Sequence, residues 1–197
     1  MSKRSKIIVC AMAVALVIVI IFNIFYVKPF ESEHSTYKCD VKNFRIATTI
    51  QINKDGKKFG EIKGNLFTIV TDPLTLYDTE ETKIGYAGDA YHFISQDSHV
   101  IYINDTFSVE MVGLVDLLGE SYKIYDNDKK LVAEVSFNML NTSGEMYDAE
   151  GQLIADYQSK VFANDFEVRI SDSCSLDPNA VLLIFASYYS DQAYDNS

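Results

Sequence analysis

Histidine is scarce in this chain, and the motifs of several common enzyme classes are missing. His34 lies in a polar stretch, while His92 and His99 lie in predicted strands, where histidines are usually half-exposed surface residues. The sequence has no Gly-x-Ser-x-Gly motif, no phosphate-binding loop and no zinc-ligand spacing. The Asp-Asn-Asp run at 126–128 is similar to a calcium loop but lacks the glycine and distal glutamate of the EF-hand pattern. We therefore expect no catalytic, cofactor-binding or metal-binding residue.

Basic residues are outnumbered by acidic ones. The chain has 17 Lys and Arg against 28 Asp and Glu, and three of the basic residues lie in the first six positions. The remaining 191 residues carry a formal balance of −14, which repels nucleic acid and anionic lipid head groups. We therefore expect no nucleic-acid partner.

The sequence has one long apolar run. Residues 7–27 contain no charge and are interrupted only by Asn23, a length that spans a bilayer with little tilt. Three basic residues precede the run, so the positive-inside rule predicts 1–6 in the cytoplasm and the rest of the chain outside the cell membrane. A cleaved signal peptide is the alternative, but the run exceeds the usual apolar core and has no small-residue cleavage site. We predict a single-pass signal anchor at 7–27 and a linker at 28–42.

Cysteine is rare as well. Cys10 lies in the apolar run, while Cys39 and Cys174 lie outside the membrane in this topology. An even pair in an oxidising compartment is a disulfide candidate, and the alternative, two unconnected thiols, stays open. Asn104 and Asn141 each begin an N-glycosylation acceptor pattern, which matters only in a eukaryotic secretory route.

Residues 43–197 contain about a dozen short apolar stretches separated by turns. Between Phe44 and Asn53 apolar and polar residues alternate with a period of two, and a Lys-Asp-Gly-Lys hairpin turn follows at 54–57. Similar stretches, among them 66–70 and 91–95, continue to about residue 170. Closely spaced short strands are the signature of an all-β sandwich or barrel.

An internal repeat runs through these strands. Its three matched aspartates are 48 and 22 positions apart, so a unit of about 23 residues fits with one degenerate copy between the first two. Each copy has a tyrosine and an aspartate, followed at the sixth and seventh positions after the aspartate by an apolar and a small residue. The matched residues are Tyr77-Asp78 with Ile84-Gly85, Tyr125-Asp126 with Val132-Ala133, and Tyr147-Asp148 with Ile154-Ala155. We interpret each copy as a hairpin in which the aspartate starts the turn by bonding forward to backbone N–H groups.

A helix is predicted at 178–190. Asp177 suits the N-cap position and Pro178 the first helical position, and the following residues up to Tyr189 are almost all apolar or aromatic. A helix without a polar face must be enclosed, yet the ten residues of its apolar part make only about 15 Å, too short to cross a bilayer. About twelve strands leave a hole along a barrel axis that such a helix suits as a plug. We predict a closed barrel of about twelve strands around a helix that contains Leu182, Leu183, Ile184 and Phe185.

The repeated hairpins and the hydrophobic helix after Leu176-Asp177-Pro178 resemble the tubby C-terminal-like superfamily, and within it the LURP-one-related and phospholipid-scramblase-like branch. The resemblance covers roughly Val41 to Tyr189. It implies a closed twelve-stranded barrel around the terminal helix and membrane-associated, mostly non-enzymatic roles, some members binding phosphoinositides and some credited with moving lipids. Phosphoinositide binding in that family uses a basic pocket. Beyond its N-terminus this chain has only the basic pairs at 57–58 and 129–130, so no lipid-binding residue is transferred to it.

The sequence therefore predicts a membrane-anchored, non-enzymatic binding or regulatory domain of tubby-like fold. It would contact the membrane through residues 7–27 and bind an unidentified protein or lipid ligand. One alternative is phospholipid binding or scrambling at the membrane, which rests on the resemblance alone. A second alternative is a carboxylate-based hydrolase, although most carboxylates fall on predicted turns.

Overall fold

The computed structural model describes residues 30–42, 47–65, 74–89, 98–115, 120–138, 141–159 and 165–195. The chain divides after Glu31, and apart from Phe30 and Glu31 the described residues belong to the unit Ser32–Ser197. A search of these residues finds no helix that is long and apolar enough to cross a membrane. The predicted anchor at 7–27 lies outside them.

Twelve antiparallel strands form a closed barrel, which confirms the predicted all-β fold. Each strand pairs with its neighbours in sequence, and the first strand closes the barrel by pairing with the last. The strands are β1 (His34–Lys42), β2 (Ala47–Lys54), β3 (Lys57–Asn65), β4 (Leu74–Tyr77), β5 (Lys83–Asp89), β6 (Ser98–Ile103), β7 (Thr106–Val115), β8 (Glu120–Tyr125), β9 (Leu131–Phe137), β10 (Ser143–Asp148), β11 (Leu153–Ser159) and β12 (Asp165–Ser171). The helix α1 (Pro178–Asp195) follows β12.

The predicted linker at 28–42 is wrong for its second part, because residues 34–42 form β1. Tyr37, Cys39 and Val41 face the interior and are buried, while Lys38 and Asp40 between them are exposed. This period of two is that of a strand with one buried face, and its charged members made it look like a linker. The strands predicted at 66–70 and 91–95 lie outside the described residues.

The helix α1 fills the barrel, as predicted. All nine residues from Ala180 to Tyr188 are at most 1% exposed, so every side of this part of the helix is enclosed. Oδ1 of Asp177 accepts a hydrogen bond of 2.8 Å from the N–H of Asn179, which caps the helix start. Tyr188 stacks on Phe137 of the wall. The apolar helix and the inward faces of the strands thus form one core.

The two ends of the barrel differ. At the hairpin end, five tight turns join β2–β3, β4–β5, β6–β7, β8–β9 and β10–β11, and α1 begins there after β12. At the opposite end, which we call the rim, β6 begins and the last turn of α1 reaches the wall. The helix therefore runs through the barrel from the hairpin end to the rim.

Candidate functional site

The three repeated aspartates organise their hairpins in the same way. In Asp78, Asp126 and Asp148, Oδ1 accepts hydrogen bonds from the backbone N–H groups two and four residues further on, at 2.8–3.1 Å. The backbone N–H of each aspartate also donates to the carbonyl four residues on, at 2.9–3.0 Å. The Oδ1 atoms of these three carboxylates therefore serve turn formation, as the repeat predicts.

The apolar-small pairs of the repeat lie at bulges on the return strands. The pairing register shifts by one residue in each hairpin, and the extra residues are Ile84, Val132 and Ile154. The β2–β3 and β6–β7 hairpins have the same bulge with two-residue turns of positive φ at 55–56 and 104–105. Five related hairpins thus form one end of the barrel, and β6–β7 is the degenerate copy.

The tyrosines of the repeat lie half-buried on the outer wall. Nζ of Lys63 is 5.1 Å from the centre of the Tyr77 ring, a cation–π contact. The hydroxyl of Tyr147 donates to Glu145 at 2.5 Å. Tyr125 lies opposite Glu110 of β7. The contacts of Tyr77 and Tyr147 thus join neighbouring side chains along the outer face of the sheet.

Cys39 and Cys174 are free thiols, so the candidate disulfide between them is not formed in the structure. Cys39 lies opposite Phe166, whereas Cys174 follows the end of β12, where Ser171 lies opposite His34. Five strand residues, about 16 Å, separate these two levels, and a disulfide tolerates at most about 7 Å between Cα atoms. Burial raises the pKa of both thiols, so neither is an activated nucleophile.

His99 joins α1 to the barrel wall at the rim. Its Nε2 lies 2.8 Å from Oδ2 of Asp191 in α1, and its Nδ1 lies 3.3 Å from Oδ1 of Asp89 in β5. Burial alone would lower the pKa of His99, but the hydrogen bonds and negative charges of the two carboxylates outweigh it and raise the pKa from 6.5 to about 9. The imidazole is therefore protonated at neutral pH, and each of its two nitrogens is paired with a carboxylate.

The expectation that His99 is a half-exposed surface residue is wrong, because its exposed fraction is 7%. His92, the other strand histidine, lies outside the described residues. The acceptor on α1, Asp191, is separated from His99 by 92 positions. No local sequence motif predicts a contact between residues so far apart in the chain. The path of the helix through the barrel brings His99 and Asp191 together.

Gln192 fastens the end of α1 to two further parts of the rim. Its Nε2 donates to both carboxylate oxygens of Glu120 in β8, at 2.8 and 2.9 Å, and its Oε1 accepts a hydrogen bond from Nδ2 of Asn141. Asn141 is thus engaged through its amide nitrogen, whereas Asn104 is exposed in the β6–β7 turn. The rim clamp, as we call this set, consists of Asp89, His99, Glu120, Asn141, Asp191 and Gln192.

The rim clamp has the residue types of a metal site but not its geometry. Asp89 and Asp191 bond to opposite nitrogens of the His99 ring, so the three groups do not converge on one point as ligands do. Over the described ranges, no group of three or more His, Cys, Asp and Glu side chains could hold a metal ion. The clamp therefore fixes the helix to the wall.

A groove of about 360 Å³ crosses the outer wall from β7 to β10. The strand register places Leu114, Ser121 and Ser136 side by side on β7, β8 and β9. The two short serine side chains form a floor between longer neighbours. One row closer to the hairpin end lie Lys123, Glu134 and Tyr147. Asp148 lines the same groove at the β10–β11 turn. These seven residues define what we call the outer groove.

The outer groove combines apolar and charged surface. Leu114 is 43% exposed, and among the large apolar side chains that the structure describes it alone is exposed. Nζ of Lys123 lies 3.7 Å from Oε1 of Glu134, and both side chains are more than one third exposed, so this ion pair contributes little to stability. Sequence patterns did not reveal the groove, because its residues meet only through the register of four strands.

Comparisons with known proteins give little further information. No family model matches the chain, and no solved structure matches it. Over 118 residues the chain is 24% identical to a curated protein described as a DOP1 homolog of Plasmodium falciparum (isolate 3D7). The matched stretch is 60% of this chain and 3% of that protein, so the chain corresponds to a small part of its length. The tubby-like resemblance stays a prediction.

Proposed function

We propose that this chain is a membrane-anchored, non-enzymatic binding or regulatory domain of tubby-like class that recognises its ligand on the outside of the barrel. The filled interior carries the proposal. The buried helix residues Ala180 to Tyr188 occupy the space in which wider barrels hold ligands. The surfaces on which a ligand can bind are thus the outer wall, the hairpin end and the rim.

The buried charged side chains that the structure describes also support a binding domain over an enzyme. They are His99, Glu110 and Asp156. Glu110 accepts a hydrogen bond of 2.5 Å from Lys129, and Asp156 accepts hydrogen bonds from Arg169 on the next strand. Each pair joins two segments of the barrel. Structural ion pairs of this kind explain the burial of these charges without a catalytic role.

We propose the membrane anchor from the composition of residues 7–27, with the N-terminus in the cytoplasm and the barrel outside. The full chain expressed in cells should stay with the membranes during an alkaline carbonate wash. A tag placed after Ser197 should be detected by antibody on cells that have not been permeabilised. Release by carbonate would contradict the anchor, and detection only after permeabilisation would reverse the orientation.

A binding role can be tested by photo-crosslinking in living cells. Benzoylphenylalanine would be placed singly at three exposed positions around the barrel, Lys38 in β1, Lys63 in β3 and Ser136 in β9. At least one position should give a discrete protein adduct on irradiation, because a ligand surface covers one sector of the wall. Absence of protein adducts at all three positions would contradict a protein-binding role.

Phospholipid scrambling makes a different prediction. The full chain would be reconstituted into vesicles that contain a fluorescent phospholipid, and bleaching by external dithionite would be followed. We expect the slow bleaching of the inner leaflet to match that of protein-free vesicles, because the barrel interior is occupied and the chain beyond residue 6 has a balance of −14. Faster bleaching would favour lipid handling over our proposal.

A further inference from the structure

We propose that the outer groove binds an extended, basic peptide segment of a protein partner. A Lys or Arg side chain of the segment would lie beside the carboxylates of the groove, and an apolar side chain would lie on Leu114. This inference rests on the proposed binding function and assigns to it a surface and a class of ligand.

The dimensions of the groove suit a short extended segment. It crosses from β7 to β10, and three strand spacings of about 4.8 Å make a path of about 14 Å. About four extended residues cover that length. The floor at Ser121 and Ser136 is low because both side chains are short and lie directly opposite each other. A peptide backbone can therefore lie across the strands between Leu114 and Tyr147.

The closed barrel determines how such a peptide is recognised. Each of the twelve described strands has a pairing partner on both sides, so within the described residues no whole strand edge is open for a peptide to add as a further strand. Recognition must come from side chains on the outer wall. The groove offers two different kinds of contact, apolar at Leu114 and acidic near Tyr147, and this separation favours a segment with one side chain of each type.

The negative charges in and around the outer groove favour a basic peptide segment. The Lys123–Glu134 pair is long and exposed, so a Lys or Arg side chain of the partner can bind Glu134 at little cost. Asp148, which also lines the groove, is held in place because its Oδ1 accepts two hydrogen bonds from its own turn. The −14 balance of residues 7–197 adds long-range attraction for a basic partner.

Leu114 supplies the apolar contact. Its side chain is 43% exposed because it lies on the outward face of β7, whereas inward residues of the same strand, such as Met111, are fully buried. An exposed leucine beside a groove is an anchor point for an apolar side chain of a partner. Leu114 and Glu134 lie on strands two apart, so we expect the basic and apolar residues of the segment to be close in sequence.

The ligand class can be read from a peptide selection. A phage-displayed library of random linear nonapeptides would be panned against the full chain, solubilised in a mild detergent. Enriched peptides should contain Lys or Arg within about three residues of Leu, Ile, Met or Phe. Enrichment of acidic peptides, or no enrichment, would contradict the proposal.

Two variants then locate the binding surface. Glu134→Lys should lower the affinity for the enriched peptides about tenfold or more, because it places a positive charge beside the positive charge of the peptide. Leu114→Ser should lower the affinity for these peptides about threefold to tenfold, because it removes apolar contact surface. It should not disturb the core, since the side chain of Leu114 is exposed. The matched control is Glu80→Lys at an exposed position of the β4–β5 turn, which changes net charge equally and should alter affinity less than about twofold. Circular dichroism would verify that all three variants fold.

The outcomes separate this inference from the function on which it rests. Equal loss of peptide affinity in Glu134→Lys and Glu80→Lys would show a general charge effect and overturn the groove as the site. The groove would also be overturned as the site if the enriched peptides bound both groove variants as tightly as the wild type while crosslinking at Lys38 or Lys63 gave protein adducts. That result would leave the binding function in place. Absence of protein adducts at all tested positions would instead contradict the function itself.

Discussion

His99 shows at the scale of one residue how the barrel holds its plug. The ring is buried, yet both nitrogens reach carboxylates that belong to different elements, Asp89 on the wall and Asp191 on the helix. A neutral imidazole could donate to one of them only, whereas the protonated form donates to both. The contact of Asp191 in the helix with the wall therefore depends on the charge of a single side chain.

This dependence predicts that the stability of the protein changes with pH through His99. The pKa of His99 is about 9 in the folded state and 6.5, its ordinary value, in the unfolded chain, so the folded state binds the proton more tightly. The stabilisation is fully present below pH 6.5 and is lost as the pH rises through 9, and it amounts to about 3 kcal/mol. Urea unfolding of the wild type and of His99→Gln would measure it.

The free energy of unfolding of the wild type minus that of His99→Gln should be about 3 kcal/mol larger at pH 6 than at pH 9.5. Other titrating groups are common to both proteins, so the comparison isolates the clamp. An equal difference at the two pH values would contradict the ion-pair geometry.

Asp126 tests the turn function of the repeat. Its Oδ1 accepts hydrogen bonds of 2.9 Å from the N–H groups of Asp128 and Lys130, so Asp126→Ala should lower the free energy of unfolding by about 1–2 kcal/mol. Asp128→Ala in the same turn is the control, because its carboxylate takes no part in these bonds, and it should change stability by less than about 0.5 kcal/mol. Thermal or urea unfolding would measure the stability of both variants. Equal losses of stability in Asp126→Ala and Asp128→Ala would show that the hydrogen bonds of Asp126 do not stabilise the turn.

At the scale of elements, the close approach of strands near the helix depends on small residues. A Cβ added at Gly85 would lie 2.5 Å from the backbone oxygen of Tyr102 and 3.4 Å from Cδ1 of Leu183 in α1. A Cβ at Gly88, on the same strand, would meet no atom within 4 Å. At Gly85 the small position of the repeat is thus required by packing.

Gly85→Ala should therefore destabilise the barrel by about 1–3 kcal/mol, while Gly88→Ala should be neutral or slightly stabilising, because alanine reduces the freedom of the unfolded chain. The pair of variants differs only in position along β5. Similar unfolding midpoints for both would mean that the wall has room near Leu183 that the structure does not show.

Local patterns predicted the elements that have clear local signals. The helix could be predicted because Asp177 and Pro178 mark its start and its apolar surface has no polar side. The hairpins could be predicted because their aspartates recur with fixed spacing. β1 was missed because its charged outward residues resemble a linker, and because one of its two pairing partners, β12, lies more than 100 residues away. Strand closure over such a distance leaves no signal in the residues themselves.

At the scale of the whole molecule, the filled interior determines where function can lie. In our proposal the enclosed helix leaves the outer wall, the hairpin end and the rim for ligands, and the outer groove on the wall combines an exposed leucine with weakly paired charges. Neither the rim clamp nor the groove could be predicted from the sequence. Their residues meet through the register of strands and the path of the helix, which are properties of the folded barrel and not of any short segment.

Native-state hydrogen exchange of the full chain tests most directly whether the helix is the core of a closed barrel. The backbone amides of residues 180–188 should exchange only through global unfolding, with an opening free energy equal to that from urea unfolding, because no smaller opening exposes an enclosed helix. The hairpin turns should exchange through much smaller openings. Helix amides that exchange with a free energy well below the global value would show that the helix leaves the barrel in the folded state, and would contradict the placement of function on the outer wall.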